Sequence, residues 1–451
     1  MCPTSNRALP PKVALPGIRF VDLQAVPLGL VLAIASERGR FSLSERGLSG
    51  FKVDWNTPQN SDEDRGEPRF LNMKIYRTVW ILAACLFAGA LQAQTPRDAI
   101  ALEQRGQLED AARAWQAITR RNPQDAAAFA SLGVVLSKDE KYSDAATAYK
   151  KALALNPQLP GISLNLGLAE FKQGHFPAAI APFKAALASE GSNSQARILL
   201  GFSYYGSRRF RDAARELKLA TKTDPDNLEL RQALAQSCLW AKDYACAREE
   251  FRAIVEKDPD SASAHMLLGE ALDGLSEKQE AIREFEIAAK AAPQEPNVHF
   301  GLGYLYWKSH RYEEAKKEFE AELANDPQHA QSWAYLGDMQ IKSDPDAALP
   351  LLRKAIALKP DLRIGYVDLG VVLAEQKQNP EAIAAFERAI ALDPDEPDAH
   401  YRLGRLYRAM GKTAESDKEF AKVKSIHQKS EDDVARKMSS VPPALSGMET
   451  K

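Results

Sequence analysis

The feature that most constrains this 451-residue chain is a proline that recurs about every 34 residues. Most intervals are 34 residues, one is twice that length, and one is 33. The series is Pro123, Pro157, Pro225, Pro259, Pro293, Pro327, Pro360 and Pro394. Proline lacks a backbone N–H and clashes with the preceding helical turn, so it marks the end of a helix rather than its interior. The spacing therefore predicts one structural unit that is repeated along most of the chain.

Three further series of residues, which we call tracks, recur with the same period of about 34 residues. Glycine recurs at Gly133, Gly167, Gly201, Gly269, Gly303, Gly337, Gly370 and Gly404, with Ala235 in the one gap. An alanine follows most of these positions by twelve residues, at Ala145, Ala179, Ala213, Ala247, Ala281, Ala315 and Ala382. A large apolar residue lies four positions further on, at Tyr149, Phe183, Leu217, Phe251, Phe285, Phe319 and Phe386. Small residues that face each other let two antiparallel helices pack closely. The pattern predicts a solenoid of helical hairpins, each stabilised by its neighbours.

These tracks resemble the motif of the tetratricopeptide repeat family, which has Leu-Gly and Tyr on its first helix, Ala and Phe on its second, and a closing Pro. One repeat matches at Gly303, Tyr306, Ala315, Phe319 and Pro327, and the next at Trp333, Leu336 and Gly337. Ten motifs are found, at 92–125, 126–159, 160–193, 194–227, 228–261, 262–295, 296–329, 330–362, 363–396 and 397–430. The predicted fold class is all-α, and the resemblance implies a right-handed superhelical solenoid over residues 94–430.

The region before the repeats has a different character. Residues 1–72 show no period, and we interpret them as an upstream segment that is not translated or as a disordered leader. Met73 begins a short basic stretch, an apolar run and then small residues up to Ala93, which is the layout of a secretory signal peptide. The apolar run is shorter than the roughly 20 residues that span a bilayer. We therefore expect a signal peptide at 73–93 and export to the periplasm or cell envelope of a bacterium.

The cysteines leave two alternatives open. Leu82 to Cys85 resembles the lipobox of bacterial lipoproteins, so lipidation of Cys85 competes with soluble export. Cys238 and Cys246 lie on either side of the turn between two predicted helices. They are either two small buried thiols or a disulfide, which an oxidising compartment would favour.

The segment after the last motif, 431–451, is predicted to be a flexible tail. Its first residues, Glu431, Asp432 and Asp433, either prolong the last helix or interact only with solvent.

The family resemblance implies that the first helices of the repeats line one surface, and that this surface binds a peptide or a partner protein. The candidate partner-binding residues are Phe171, Phe202, Tyr205, Met266, Glu270, Asp273, Phe300, Tyr304, Trp307, Asp338, Arg402, Arg405 and Arg408. The alternative for the aromatic residues is packing between repeats, and for the arginines a solvated helix face.

Other function classes are disfavoured. A net charge of −2 argues against a nucleic-acid backbone as the main partner, because phosphate contacts need clustered Lys and Arg. No catalytic residues, cofactor or metal are predicted, and His265 and His299 are expected to pack rather than to bind metal. The sequence therefore predicts a non-catalytic scaffold or adaptor for other proteins, with a membrane reached only through a lipid anchor. The alternatives are an envelope lipoprotein scaffold for pilus or secretion assembly, and a regulatory module of an envelope enzyme.

Overall fold

The computed structural model describes residues 95–439, and the regular structure in that range is entirely α-helical. The predicted leader, the signal peptide, Cys85 and the end of the tail from residue 440 lie outside the described residues. The described residues form two compact units, with the boundary between Asp224 and Pro225. Each unit is a series of antiparallel helix pairs, so the predicted all-helical repeat fold is confirmed.

The first unit contains four helical hairpins. Its helices are α1 (Pro96–Gln104), α2 (Leu108–Arg121), α3 (Ala126–Lys138), α4 (Tyr142–Leu155), α5 (Ile162–Lys172), α6 (Phe176–Ser189), α7 (Ser194–Gly206) and α8 (Phe210–Thr221). The two helices of each hairpin contact each other, and each second helix also contacts the first helix of the next hairpin. A continuous core of alanine, leucine and valine side chains runs through its first repeats, with Trp115 and Tyr149 as the large members.

The second unit contains six hairpins of the same kind. Its helices are α9 (Leu228–Trp240), α10 (Tyr244–Lys257), α11 (Ala262–Gly274), α12 (Lys278–Ala291), α13 (Val298–Lys308), α14 (Tyr312–Asn325), α15 (Ala330–Gln340), α16 (Pro345–Leu358), α17 (Arg363–Glu375), α18 (Asn379–Leu392), α19 (Pro397–Ala409) and α20 (Thr413–Ser439). Here too, the second helix of each hairpin contacts the first helix of the next hairpin. Among the first helices, α15 also contacts α17, and α17 contacts α19.

One helix end differs from the predicted boundary. Helix α20 continues to Ser439, so the residues after 430 begin as helix and not as a flexible tail. The acidic residues from Glu431 to Asp433 therefore prolong the last helix, which was one of the two alternatives. At the shortened eighth repeat, Asp344 caps α16 by accepting a hydrogen bond from the Ala347 N–H, and Pro345 is the first helical residue.

The glycine track marks a close contact inside each hairpin that carries this glycine. A Cβ atom built on Gly370 would lie 2.6 Å from the Phe386 ring, and one on Gly167 would lie 2.6 Å from the Phe183 ring. The same relation holds for Gly133 with Tyr149. Each ring comes from the second helix of the same hairpin and is buried. Glycine is therefore needed because the ring occupies the space that a larger side chain would take.

A second recurring contact joins several first helices to their surroundings. Arg231 donates to Glu250 Oε2 at 2.7 Å and to the Pro225 carbonyl at 2.9 Å. His265 occupies the equivalent position one repeat later, with Glu284 and the Pro259 carbonyl as its partners at 2.6 Å and 2.9 Å. His299 pairs with Glu318, and His400 with Glu419, in the same register.

These pairs explain why the histidines recur. Each one joins the start of a first helix to the second helix of its own hairpin. In the Arg231 and His265 repeats the side chain also reaches a proline carbonyl in the loop before its own first helix. A structural contact of this kind accounts for the recurrence of His265 and His299.

The turn between the two helices of a hairpin has a fixed backbone shape. The seventh residue after the glycine position has positive φ in most hairpins, as at Gly174 (φ 74°) and Ser276 (φ 66°). This left-handed conformation lets the chain reverse in a few residues, and it favours glycine although several other residue types occupy it here.

We expect Gly370→Val to lower the free energy of unfolding by about 1–3 kcal/mol, because the branched side chain must displace the Phe386 ring. Urea unfolding followed by circular dichroism measures this change. Gly191→Val is the matched control, because the nearest atom to an added Cβ there is a backbone oxygen at 3.8 Å. Equal destabilisation by the two substitutions would contradict the proposed role of the close contact.

Candidate partner-binding surface

The three candidate residues of the first unit lie in its core. Phe171, Phe202 and Tyr205 are all buried. The Phe171 ring makes an edge-on contact with Phe176 at 5.3 Å, and Tyr205 makes one with Phe210 at 5.7 Å. The alternative of packing therefore accounts for these three rings, because their surface is already covered by neighbouring helices. Sequence spacing could not separate this packing from an exposed role.

The candidates on α11 are partly buried and engaged within the second unit. Met266 packs with Val298 of the next repeat in a small apolar cluster. Asp273 accepts a hydrogen bond from Lys308 Nζ at 2.6 Å, which links two successive first helices. Glu270 is half-buried on the same helix. These side chains contribute to contacts between repeats, and only part of their surface remains accessible.

The aromatic candidates of α13 surround Tyr335 of α15. The centroids of Phe300, Tyr304 and Trp307 lie 5.9, 5.8 and 5.0 Å from the Tyr335 ring. Phe319, the ring that a Cβ atom on Gly303 would meet, also stacks on Tyr335 at 5.4 Å. The predicted aromatic cluster exists, but its principal contact is with the next repeat, and its three α13 side chains remain half-buried.

The edge of this cluster is polar. Trp307 Nε1 donates a hydrogen bond of 2.7 Å to Asp338 Oδ2 on α15. Burial raises the pKa of Asp338 above its ordinary range, and the Trp307 hydrogen bond and the nearby Arg402 guanidinium lower it in part. The structure thus brings Asp338, predicted as a neighbouring acid, into direct contact with a predicted aromatic residue.

Asp368 of α17 completes this polar edge and was not predicted. It is 4% exposed, and burial raises its pKa well above the usual range, with a further increase from Asp338 and an opposing effect of Arg402. A signal for it does exist in the sequence. The residue two positions before the glycine is uncharged in the repeats from 126 to 362, whereas the last two repeats have Asp368 and Arg402 there.

The three predicted arginines of α19 are exposed but do not act as one stripe. Arg402 faces the two aspartates. Arg405 and Arg408 border a shallow cavity of about 660 Å³ with Tyr401, Asp417 and Phe420. The Arg408 guanidinium lies 4.8 Å from the Phe420 ring centroid and 3.7 Å from Asp417 in an exposed ion pair.

The positions of these residues within their repeat explain why this cavity forms. Tyr401, Arg405 and Arg408 occupy the same repeat positions as Phe300, Tyr304 and Trp307. In the earlier repeat these positions contact the next first helix. In the last hairpin of the described residues they are not covered, and Tyr401 is 48% exposed.

The remaining candidates concern covalent and metal chemistry. Cys238 and Cys246 are joined in a disulfide with a Cα–Cα distance of 5.8 Å, across the turn between α9 and α10. Within residues 95–439, no group of three or more His, Cys, Asp or Glu side chains is arranged to hold a metal ion. None of the helices in that range has the length and apolar composition to cross a membrane.

Family models match the chain in succession along the repeats. A tetratricopeptide repeat model matches residues 97–160, 164–227 and 300–363, and others match 204–271 and 398–430. A TPR repeat model matches 370–411. The chain belongs to the tetratricopeptide repeat family. Proteins with this repeat typically mediate protein–protein interactions, so partner binding is the general activity of the fold.

Solved structures of tetratricopeptide repeat proteins resemble the chain in fold. Yeast Tom70 is 14% identical, with 77% of this chain and 96% of that chain covered and a TM-score of 0.38. The Cut9 complex with Hcn1 is 14% identical, with coverages of 73% and 80% and a TM-score of 0.45. YrrB, described as having an unusual peptide-binding site, is 24% identical, with coverages of 40% and 93% and a TM-score of 0.32. No curated protein sequence matches the chain.

We expect Asp368→Asn to stabilise this tetratricopeptide repeat protein at neutral pH, by on the order of 1–3 kcal/mol, since the substitution removes a buried charge. The charged groups that face Asp368 are Asp338, Asp398, Arg363 and Arg402. The raised pKa means that the folded state holds the proton more tightly than the unfolded state. Stability therefore falls as pH rises from about 3.9, the ordinary aspartate pKa, through the raised folded value.

Urea unfolding of the wild type and the variant at several pH values measures this difference. The advantage of Asp368→Asn should be present at pH 7.5 and absent once the pH is below the ordinary aspartate pKa. Glu387→Gln, which removes an exposed carboxylate from α18, should change stability little at either pH. A lower midpoint for Asp368→Asn at pH 7.5 would show that the charged carboxylate stabilises the fold.

Proposed function

We propose that the chain is a non-catalytic scaffold that holds a partner polypeptide on the first helices of its second unit, from α11 to α19. The observation that carries this proposal is the cavity beside Tyr401, Arg405 and Arg408. These side chains occupy positions that bind the next repeat elsewhere in the chain, yet they are exposed here. A surface in the register of an inter-repeat contact that no described helix covers is suited to bind another polypeptide.

The chemistry of the cavity favours a segment with an acidic side chain. Tyr401 and Phe420 offer aromatic surface, and tyrosine and arginine are the residue types that contribute most to binding at protein interfaces. The ion pair of Arg408 with Asp417 is exposed, and such pairs contribute little to stability. A partner carboxylate can therefore replace Asp417 at the guanidinium group, where a bidentate contact is stronger.

We propose a non-catalytic role because repeat hairpins occupy the described part of the chain from α1 to α20. The side chains that the hairpins bring together are aromatic residues and paired charges. The general use of this family as a scaffold supports the same conclusion.

The setting that we propose is the exported one, in the periplasm or cell envelope. The signal-like segment at 73–93 supports it, and so does the disulfide between Cys238 and Cys246, because such bonds persist in oxidising compartments. This function has two candidate forms. One is scaffolding for pilus or secretion assembly through a lipid anchor on Cys85, and the other is regulation of an envelope enzyme.

Photo-crosslinking from Tyr401 tests where the partner binds. We expect a discrete crosslinked product when p-benzoylphenylalanine replaces Tyr401 in cells that produce the protein. Tyr312 is the matched control, because it is equally exposed at 47% but begins the second helix of a hairpin. Charge reversal by Arg405→Glu and Arg408→Glu should lower the yield from Tyr401 several-fold. Equal products from both positions, or a product from Tyr312 alone, would place binding on another surface.

A further inference from the structure

The cavity beside Tyr401 lies at the same repeat positions as a contact that is complete in an earlier repeat. There, the ring of Tyr335 on α15 is surrounded by four side chains of the preceding hairpin, whose ring centroids lie 5.9, 5.8, 5.0 and 5.4 Å from it. They are, in the same order, Phe300, Tyr304 and Trp307 of α13 and Phe319 of α14. One aromatic side chain of a first helix thus occupies a site that the preceding hairpin forms.

The last hairpin of the described residues has a counterpart for each of these four side chains. The equivalent repeat positions are occupied by Tyr401, Arg405 and Arg408 of α19 and Phe420 of α20. All four line the cavity of about 660 Å³. The centroids of its two aromatic rings lie 5.8 Å apart, and those of the equivalent rings in the earlier hairpin lie 5.9 Å apart. The spacing of the aromatic site is therefore preserved, and here the site is open.

Two arginines replace aromatic residues at this site. In the earlier repeat, Trp307 donates a hydrogen bond of 2.7 Å to Asp338, which follows the inserted ring by three residues. Arg408 occupies the position of Trp307, so an acidic residue at the same place in a ligand would accept a charge-assisted hydrogen bond. Asp417, which pairs with Arg408 at 3.7 Å, is exposed and can be displaced. The guanidinium group of Arg405 is suited to lie on the inserted ring. The lining therefore favours an aromatic side chain that is followed three residues later by an acid.

This spacing is that of an α-helix. Residues three apart lie on the same face of a helix, whereas residues three apart in an extended strand point to opposite faces. Helix α15, which carries the inserted ring and the acid of the earlier repeat, also contacts α14, the second helix of the preceding hairpin. In the last hairpin, the second helix α20 has an exposed face on which Asp417, Ala421, Lys424 and Gln428 recur at helical spacing and border two shallow cavities. A helix can therefore lie against α19 and α20 as α15 lies against α13 and α14.

The face of α20 also indicates the charge of such a helix. Lys424 occupies the repeat position of Ile390, which in α18 packs in an apolar cluster with Ala399 of the next first helix. The lysine is exposed. This exchange of an apolar side chain for a cationic one disfavours a further apolar repeat helix as the ligand. It favours a helix with acidic residues, in agreement with the two arginines of α19.

We propose that the last hairpin binds an acidic α-helix of a partner protein. The helix inserts one aromatic side chain into the cavity beside Tyr401 and Phe420, and it places a carboxylate three residues later on Arg408. The inference rests on the proposed function, to which it adds the secondary structure of the bound segment and the spacing of its residues. Residues 440–451 contain no aromatic residue, so that part of the chain does not supply the ring.

Fluorescence anisotropy of a labelled peptide tests this inference with the full chain. The probe is a peptide of alanine and glutamate, about 20 residues long so that it forms a helix by itself, with a tyrosine and an aspartate three positions apart. One control peptide has the tyrosine and the aspartate two positions apart, which places them on different faces. A second control keeps the spacing of three and has a proline between them, which breaks the helix. We expect the probe to bind at least tenfold more tightly than either control.

Exchange of charge tests the contact with Arg408. Arg408→Glu should weaken binding of the probe at least tenfold, and a peptide with lysine in place of the aspartate should recover most of the loss. Tyr401→Ala should weaken binding of both peptides. Arg283→Glu is the matched control, because Arg283 forms a similarly exposed ion pair with Glu280 at 4.0 Å on α12 and should leave binding unchanged. Circular dichroism checks that each variant keeps its helices.

The outcomes separate the helical ligand from the proposed function. Equal binding of either control peptide, or no binding of the probe, would overturn the helical ligand. No recovery by the lysine peptide would overturn the contact with Arg408. In each of these cases a crosslinked product from Tyr401 would still show that a polypeptide binds there in another form, and the lack of any product would contradict the proposed function itself. A product that consists of two copies of this chain would overturn a partner protein as the ligand.

Discussion

The contact between a glycine on the first helix and a large apolar side chain on the second is the interaction on which the other features depend. In the hairpin of Gly370, the Phe386 ring fills the space that a Cβ atom would take. The ring is buried, so it holds the two helices at a fixed distance and presents the same faces to the next hairpin. The repeated period of the chain is thus the repetition of one packing solution. The fold can grow in one dimension because each hairpin needs only its neighbours.

Contacts between hairpins then decide which side chains remain available. The positions that carry Phe300, Tyr304 and Trp307 face the next first helix, where Tyr335 covers much of their surface. The same positions in α19 carry Tyr401, Arg405 and Arg408, which border an open cavity. An identical register therefore produces a half-buried contact between repeats in one place and exposed surface in the last hairpin of the described residues.

Asp368 shows how such a surface can depart from the most stable packing. A neutral residue there would avoid the burial of a charge, and the raised pKa of this carboxyl expresses that cost. Natural proteins retain features of this kind where binding uses them, and substitutions that relieve them then trade function for stability. The predicted stabilisation by Asp368→Asn is therefore a consequence of this unsatisfied carboxylate.

The sequence by itself determined the helical hairpins, their number and their register, because the glycine, alanine, aromatic and proline tracks each correspond to a local steric requirement. It also placed Asp344 and Pro345 at a helix start and brought Cys238 and Cys246 to the same turn. Only the tertiary structure decided that Phe171, Phe202 and Tyr205 are core, that α20 extends to Ser439, and that Asp368 lies beside Asp338 and Arg402. Periodicity identifies the face of a helix, but burial depends on what the neighbouring repeat places against that face.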